Sequence, residues 1–288
     1  GTDDRPFTLL SGITTSEGRV GAAIAGLDSP LGNGGDIAEA SAEALYQIAT
    51  GDGLTSGGVS YVEPYDRRRA PGGGTLGGVG FREGSLRAVI HITDAPSHGP
   101  ADYLPQIPDT HSLADATRSL QAMEIAVLGI ASGPAARPHL ERLALDTGAT
   151  VPATSGVCTT GIDGAGNAPI GGVCPLVFDI ARDGTGLSNA MADALVALLD
   201  SVRFGEVYGV VEDDELGFVE AVEAIEARAP AGAADPTLED RHPPDDMIID
   251  TFVDVRPGTE LELIARLQND RIPPADYDQV FRVTIAVL

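Results

Sequence analysis

The sequence predicts an α/β fold, a three-layer, doubly wound and mostly parallel sheet, followed by a smaller antiparallel β-sandwich-like domain. Three observations carry that expectation. Over residues 1–202, short apolar runs alternate with segments of helical periodicity, the pattern of a parallel sheet covered by helices on both faces. One run, Ala88-Val-Ile-His-Ile-Thr-Asp94, is mostly β-branched and ends in an acidic residue at its carboxyl end. Over residues 203–288 the hydrophobic period falls to two, as in antiparallel strands with one buried face. A domain boundary is therefore expected between residues 202 and 203.

Taken in order, residues 5–14 read as an edge strand, with Pro6 at its start where a missing amide donor does least harm. Residues 17–27 carry Val20, Ala23, Ile24 and Leu27 at helical spacing, predicting a helix with one face on the sheet. A Gly-Asn-Gly-Gly turn follows, then a helix over about 37–50 whose buried face is Ala40, Ala44, Leu45 and Ile48, with Asp36 as its amino-terminal cap. Residues 51–84 are expected to be irregular; their Gly-Gly-Gly-Thr-Leu-Gly-Gly lacks the Gly-Lys-Ser/Thr ending of a phosphate loop. The strand ending at Asp94 is expected to be central and covered on both faces.

Ser112 should cap a helix over 112–123 with Asp115 in its first turn and Leu113, Ala116, Leu120 and Met123 on its buried side. Residues 124–131 read as the next parallel strand, 136–147 as a helix stopped by Gly148, 175–180 as a further strand and 186–201 as a further helix. Beyond them, segments 207–211, 218–225, 252–267 around a Pro-Gly turn, and 279–287 alternate apolar and polar residues, with a loop over 230–246. The chain is expected to stop inside its last strand.

Asp94 has two readings from position alone, a loop cap or a cation ligand, because open α/β sheets bind ligands outside the carboxyl ends of their strands. The segment Leu27-Asp-Ser-Pro-Leu-Gly-Asn-Gly-Gly-Asp-Ile-Ala-Glu, with Asp36 and Glu39, together with Ile-Thr-Asp-Ala-Pro-Ser-His, resembles the von Willebrand factor A domain family, especially its bacterial and integrin-β-like members. The resemblance spans residues 1 to about 202 and implies a divalent cation, Mg²⁺, Ca²⁺ or Mn²⁺, at the top of the sheet in a metal-ion-dependent adhesion site. Asp36 and Asp94 would hold it directly or through water, with Glu39 as a further ligand by analogy with the integrin-β type. The family's Asp-x-Ser-x-Ser loop is missing: Asp28-Ser-Pro-Leu-Gly and Asp200-Ser-Val-Arg-Phe both fail its spacing. The sequence is expected to begin after that strand. Gly1 is not an initiator Met, so the natural amino terminus is expected to lie outside it.

The 43 acidic and 18 basic residues give a formal charge of −25, which repels nucleic acid and anionic membrane and excludes a DNA-binding role. All the basic residues are Arg. Cys158 and Cys174 bracket a Gly-rich loop with little hydrophobic reason to stay closed, and a disulfide between them is expected, with an extracellular, cell-surface or periplasmic location. No apolar run is long enough to span a bilayer.

These readings lead to a binding or adhesion module, not an enzyme, that captures a protein partner presenting an acidic residue. Two alternatives stay open. One is a structural surface protein with an inactive metal site. The other is a metal hydrolase built from His91, Asp94, His98 and His111, against which stands the odd spacing of His91 and Asp94 along a strand.

Overall fold

The computed structural model describes residues 5–28, 37–230, 234–243, 246–273, 280 and 282–288. The fold is mixed α/β, with one parallel sheet and several antiparallel ones. The chain divides into two compact units, Gly1–Leu198 and Leu199–Leu288.

The first unit opens with α1 (Glu17–Ala25), capped by Ser16, whose hydroxyl accepts from the Arg19 amide. Two expectations fail here. Residues 5–14 form no strand; Ile13 N–H donates to Val79 O at 2.8 Å instead. And α1 forms but buries nothing: Val20 is 43 % exposed and Ile24 61 %. Periodicity reported an apolar face but could not report whether a neighbour covers it.

Helix α2 (Ser41–Thr50) ends at Gly51, left-handed at φ 71°. Its cap position is Ala40, not Asp36, which lies outside the described residues. Residues 37–40 are drawn aside into an extended pairing described below. Its buried face also differs from the expected one, comprising Ser41, Ala42, Glu43, Leu45, Gln47 and Ala49. Of the four expected residues, only Leu45 is fully buried, because two polar side chains take the inner positions through hydrogen bonds that a hydrophobic pattern does not register.

The stretch expected to be irregular contains a hairpin, β1 (Leu54–Ser56) and β2 (Val59–Val62), turned by Gly57-Gly58, with Leu54 and Val62 packed on Ile107. Its Gly-rich part serves close packing. A Cβ on Gly78 would lie 1.9 Å from Gln47 O, so only glycine lets this backbone reach α2.

The parallel sheet has the order β3 (Arg87–Thr93), β4 (Ile125–Ala131), β7 (Val177–Asp179). Between β3 and β4 lies α3 (Leu113–Ala122), whose Ser112 and Asp115 form the expected capping box and whose Ala116 and Leu120 are fully buried. After β4 come α4 (Arg137–Asp146) and the short pair β5 (Thr150–Pro152) and β6 (Val173–Pro175); α5 (Leu187–Ser201) follows β7. Strand β4 explains the core. Ile125 and Val127 pack with α2 and α3, whereas Leu128 and Ile130 pack with α4 and α5. It is β4, not β3, that lies between two strands among the described residues. Among the described residues β3 has a strand on one side only and its side chains are half-buried or exposed, a correction to the expected fully covered strand. Apolar β-branched composition sets strand preference, not the number of neighbours.

The second unit is antiparallel. β8 (Phe204–Asp213), β9 (Val219–Arg228), β10 (Thr237–Glu239), β11 (Thr251–Val255), β12 (Glu260–Leu267) and β13 (Thr284–Val287) form a four-stranded sheet, β10-β11-β8-β13, and a two-stranded one, β12-β9. The strands flanking the Pro-Gly turn enter different sheets, and β10 falls within the expected loop. Ala224, Ala227, Phe252 and Val255 form one buried cluster to which both sheets contribute.

Candidate functional site

The carboxyl end of β3 is where the structure places Asp94 and, docked beside it, Glu39. Thr93 Oγ1 accepts from Ala95 N–H at 3.2 Å and so turns the chain directly after the strand, while Ala95 is buried as its anchor. Asp94, between them, is exposed. The neighbouring strand leaves room: a Cβ on Gly133 would stand 3.1 Å from Asp94 O, so the backbone after β4 hugs this turn.

Residues 37–42 dock onto the same turn. Glu39 N–H donates to Pro96 O at 2.9 Å, and His98 N–H donates to Glu39 O at 2.7 Å. Ser97 Oγ then accepts from Ala42 N–H at 2.7 Å. A hydroxyl from 55 residues away thus caps α2, which explains why that helix carries no side-chain cap of its own. The result is a lip carrying the exposed side chains of Glu39 and Asp94. Asp36 lies three positions before Glu39 and outside the described residues.

In kind, these oxygen donors suit a hard cation with open coordination positions, since carboxylates, hydroxyls and carbonyls are the ligands of Mg²⁺ and Ca²⁺. In number they stop short of a closed site: among the described residues no group of three or more His, Cys, Asp or Glu could hold an ion.

The histidines go to separate places. His91 Nε2 lies 3.0 Å from Ser41 Oγ, and its ring meets His139 edge-on with centroids 5.9 Å apart. Burial, reinforced by His139, pushes the His91 pKa down to about 4, and burial also lowers that of His139. His98 stacks edge-on with Tyr103. His111 belongs to α2: its N–H and Nδ1 approach Glu43 Oε2 at 2.8 and 3.0 Å, and its ring stacks on Tyr46 at 3.4 Å. Gln47 Nε2 donates to Glu43 Oε1 at 2.7 Å, completing the enclosure of that carboxylate. His91, Asp94, His98 and His111 therefore do not form one metal-holding group.

Sequence reasoning missed Ser97 as a cap and Glu43 as a buried anchor. The second had a signal, an acid and an amide spaced four apart on the inner face of an Ala- and Leu-rich helix. It also missed a cleft of about 440 Å³ at the carboxyl ends of β4 and β7. Arg137 stands in it, pairing with Glu141 at 2.8 Å and Asp179 at 2.7 Å.

The expected disulfide is present: Cys158 and Cys174 are bonded, buried, and 5.4 Å apart at Cα. It closes a loop whose Asn167 Nδ2 donates to Asp179 Oδ2 at 3.3 Å. Among the described residues no helix is long and apolar enough to cross a membrane. Compared with known proteins, the chain matches no family model and no curated protein.

Proposed function

We propose that this chain is a secreted or surface-displayed binding module of the von Willebrand factor A type, in which the parallel sheet and its helices form the three-layer domain and the antiparallel sheets a sandwich-like companion. A divalent cation, Mg²⁺, Ca²⁺ or Mn²⁺, bound at the lip of β3 would present an open position to an acidic side chain of a protein partner. Asp94, Asp36 and Glu39 are its proposed ligands. The reading rests on one observation above all: residues 37–42 dock on residues 95–98, so that Glu39 and Asp94, 55 positions apart, share one exposed lip. The disulfide supports an oxidising location.

Calorimetric titration of Mn²⁺ or Mg²⁺ tests it. Saturable binding is expected in the wild type and its loss in Asp94→Ala; identical heats in the two proteins would sink the assignment. A structural surface protein with an inactive site is the second reading, favoured by the lack of a three-ligand group among the described residues. Absence of binding in both proteins would select it.

A further inference from the structure

The cleft of about 440 Å³ at the carboxyl ends of β4 and β7 lies on the β7 side of β4, away from the edge of β3. Every residue that lines it belongs to the first unit. Open α/β sheets take ligands at this position.

Arg137 lines the cleft with each of its three nitrogens engaged. Nε donates to Glu141 Oε1 at 2.8 Å and Nη2 to Thr160 Oγ1 at 3.2 Å, while Nη1 meets Asp179 Oδ2 at 2.7 Å as an ion pair without hydrogen-bond alignment. Such contacts lie in the plane of the guanidinium and occupy its edges, so what it can turn to a guest is its flat face. Glu141 and Asp179, the two carboxylates of the cleft, are both drawn to it. Arg182 is the other cation there. It is exposed, and among the described residues no ion pair or hydrogen bond engages it. Asp183 beside it accepts from Thr185 N–H at 3.0 Å and does not line the cleft.

The remaining walls are apolar, with Pro134, Pro138 and Ile162 exposed and Ile180 buried behind them. They are also held in place. Ile162 stands on the loop that Cys158 and Cys174 close, and Asn167 Nδ2 of that loop donates to Thr160 Oγ1 and Asp179 Oδ2, each at 3.3 Å. A preformed, mostly apolar opening of this size with a few fixed polar groups suits a small molecule.

We propose that this cleft binds a small aromatic carboxylate, its ring stacked on the Arg137 face against Ile162 and the prolines, its carboxylate paired with Arg182. The ring answers the guanidinium face, on which a flat π-system packs better than a branched aliphatic chain. The single negative charge answers the one cation without a partner among the described residues. No metal takes part.

The probe is 2-naphthoate, titrated through its own fluorescence in buffer containing EDTA, so that no metal-bound carboxylate contributes. Saturable binding is expected in the wild type, about tenfold weaker in Arg182→Glu and about fivefold weaker in Ile162→Ser. Both positions are exposed, so circular dichroism should be unchanged in the two variants. Two ligands test the chemistry without altering the protein: 2-naphthamide, which keeps the ring and loses the charge, and decalin-2-carboxylate, which keeps the charge and loses the π-system, should each bind the wild type less tightly. Failure of 2-naphthoate to saturate the wild type, unchanged affinity in either variant, or equal affinity for either analogue would overturn the proposal. Because the titration is made without metal, its failure leaves the cation reading of Asp94 standing, and the reverse.

Discussion

Glu39 and Glu43 lie four residues apart, one just ahead of α2 and one in its first turn, and meet opposite fates. The Glu43 side chain has no exposed surface and is bound by His111 and Gln47. Glu39 is tied down only through its backbone, and among the described residues no hydrogen bond or ion pair engages its carboxylate. The contrast separates two uses of an acid. Glu43 fastens the segment entering α3 to α2, whereas Glu39, like Asp94, stands at a lip with its oxygens turned to solvent.

The largest expected effect follows from the buried member. Glu43→Ala strands His111 and Gln47 without their shared partner and should lower unfolding free energy by about 3 to 5 kcal/mol in urea titrations. Glu39→Ala should change it by less than about 0.5 kcal/mol. Equal costs for the two would erase the contrast.

His91 sharpens the same lesson with pH. Its folded-state pKa of about 4 lies below the ordinary value of 6.5 because the buried imidazole, facing Ser41 and His139, resists charging. Between those values the unfolded chain binds a proton that the folded chain refuses. Stability is complete above about pH 6.5 and falls as pH drops toward 4, by on the order of 3 kcal/mol. Urea midpoints at several pH values should show a shallower acid decline in His91→Gln than in the wild type; parallel declines would remove His91 from this role.

A smaller effect tests the lip. Ser97→Ala deletes the oxygen that accepts Ala42 N–H and should cost about 1 kcal/mol, the usual worth of a helix cap. It should also weaken any cation binding that depends on Asp94, because Ser97 holds residues 37–42 in place. A variant that loses stability while keeping full affinity would uncouple the cap from the site.

The elements that could be read from sequence are those whose signals are local. Ser112 and Asp115 announced α3 because a capping box is completed within one turn, and β4 announced itself by an unbroken apolar run buried on both faces. Asp94 was legible as the end of a strand for the same reason. What escaped depended on distant partners. Glu43 is buried by His111, 68 positions away, and the cap of α2 comes from Ser97, 55 positions away. The apolar residues of α1 and β3 resemble those of α3 and β4 in sequence. They differ in having fewer neighbours, a fact no periodicity encodes. The meeting of residues 37–42 with 95–98 joins segments more than fifty positions apart and has no local signal.

The bond between Cys158 and Cys174 reaches past the loop it closes. Asn167 within that loop donates to Asp179 at the tip of β7, and Asp179 in turn faces Arg137. Breaking the bond would forfeit about 3 kcal/mol of chain restraint. A thiol-rich medium would therefore fray the rim around Arg137 before it troubled the sheet interior, leaving a molecule intact at its centre and slack at one margin.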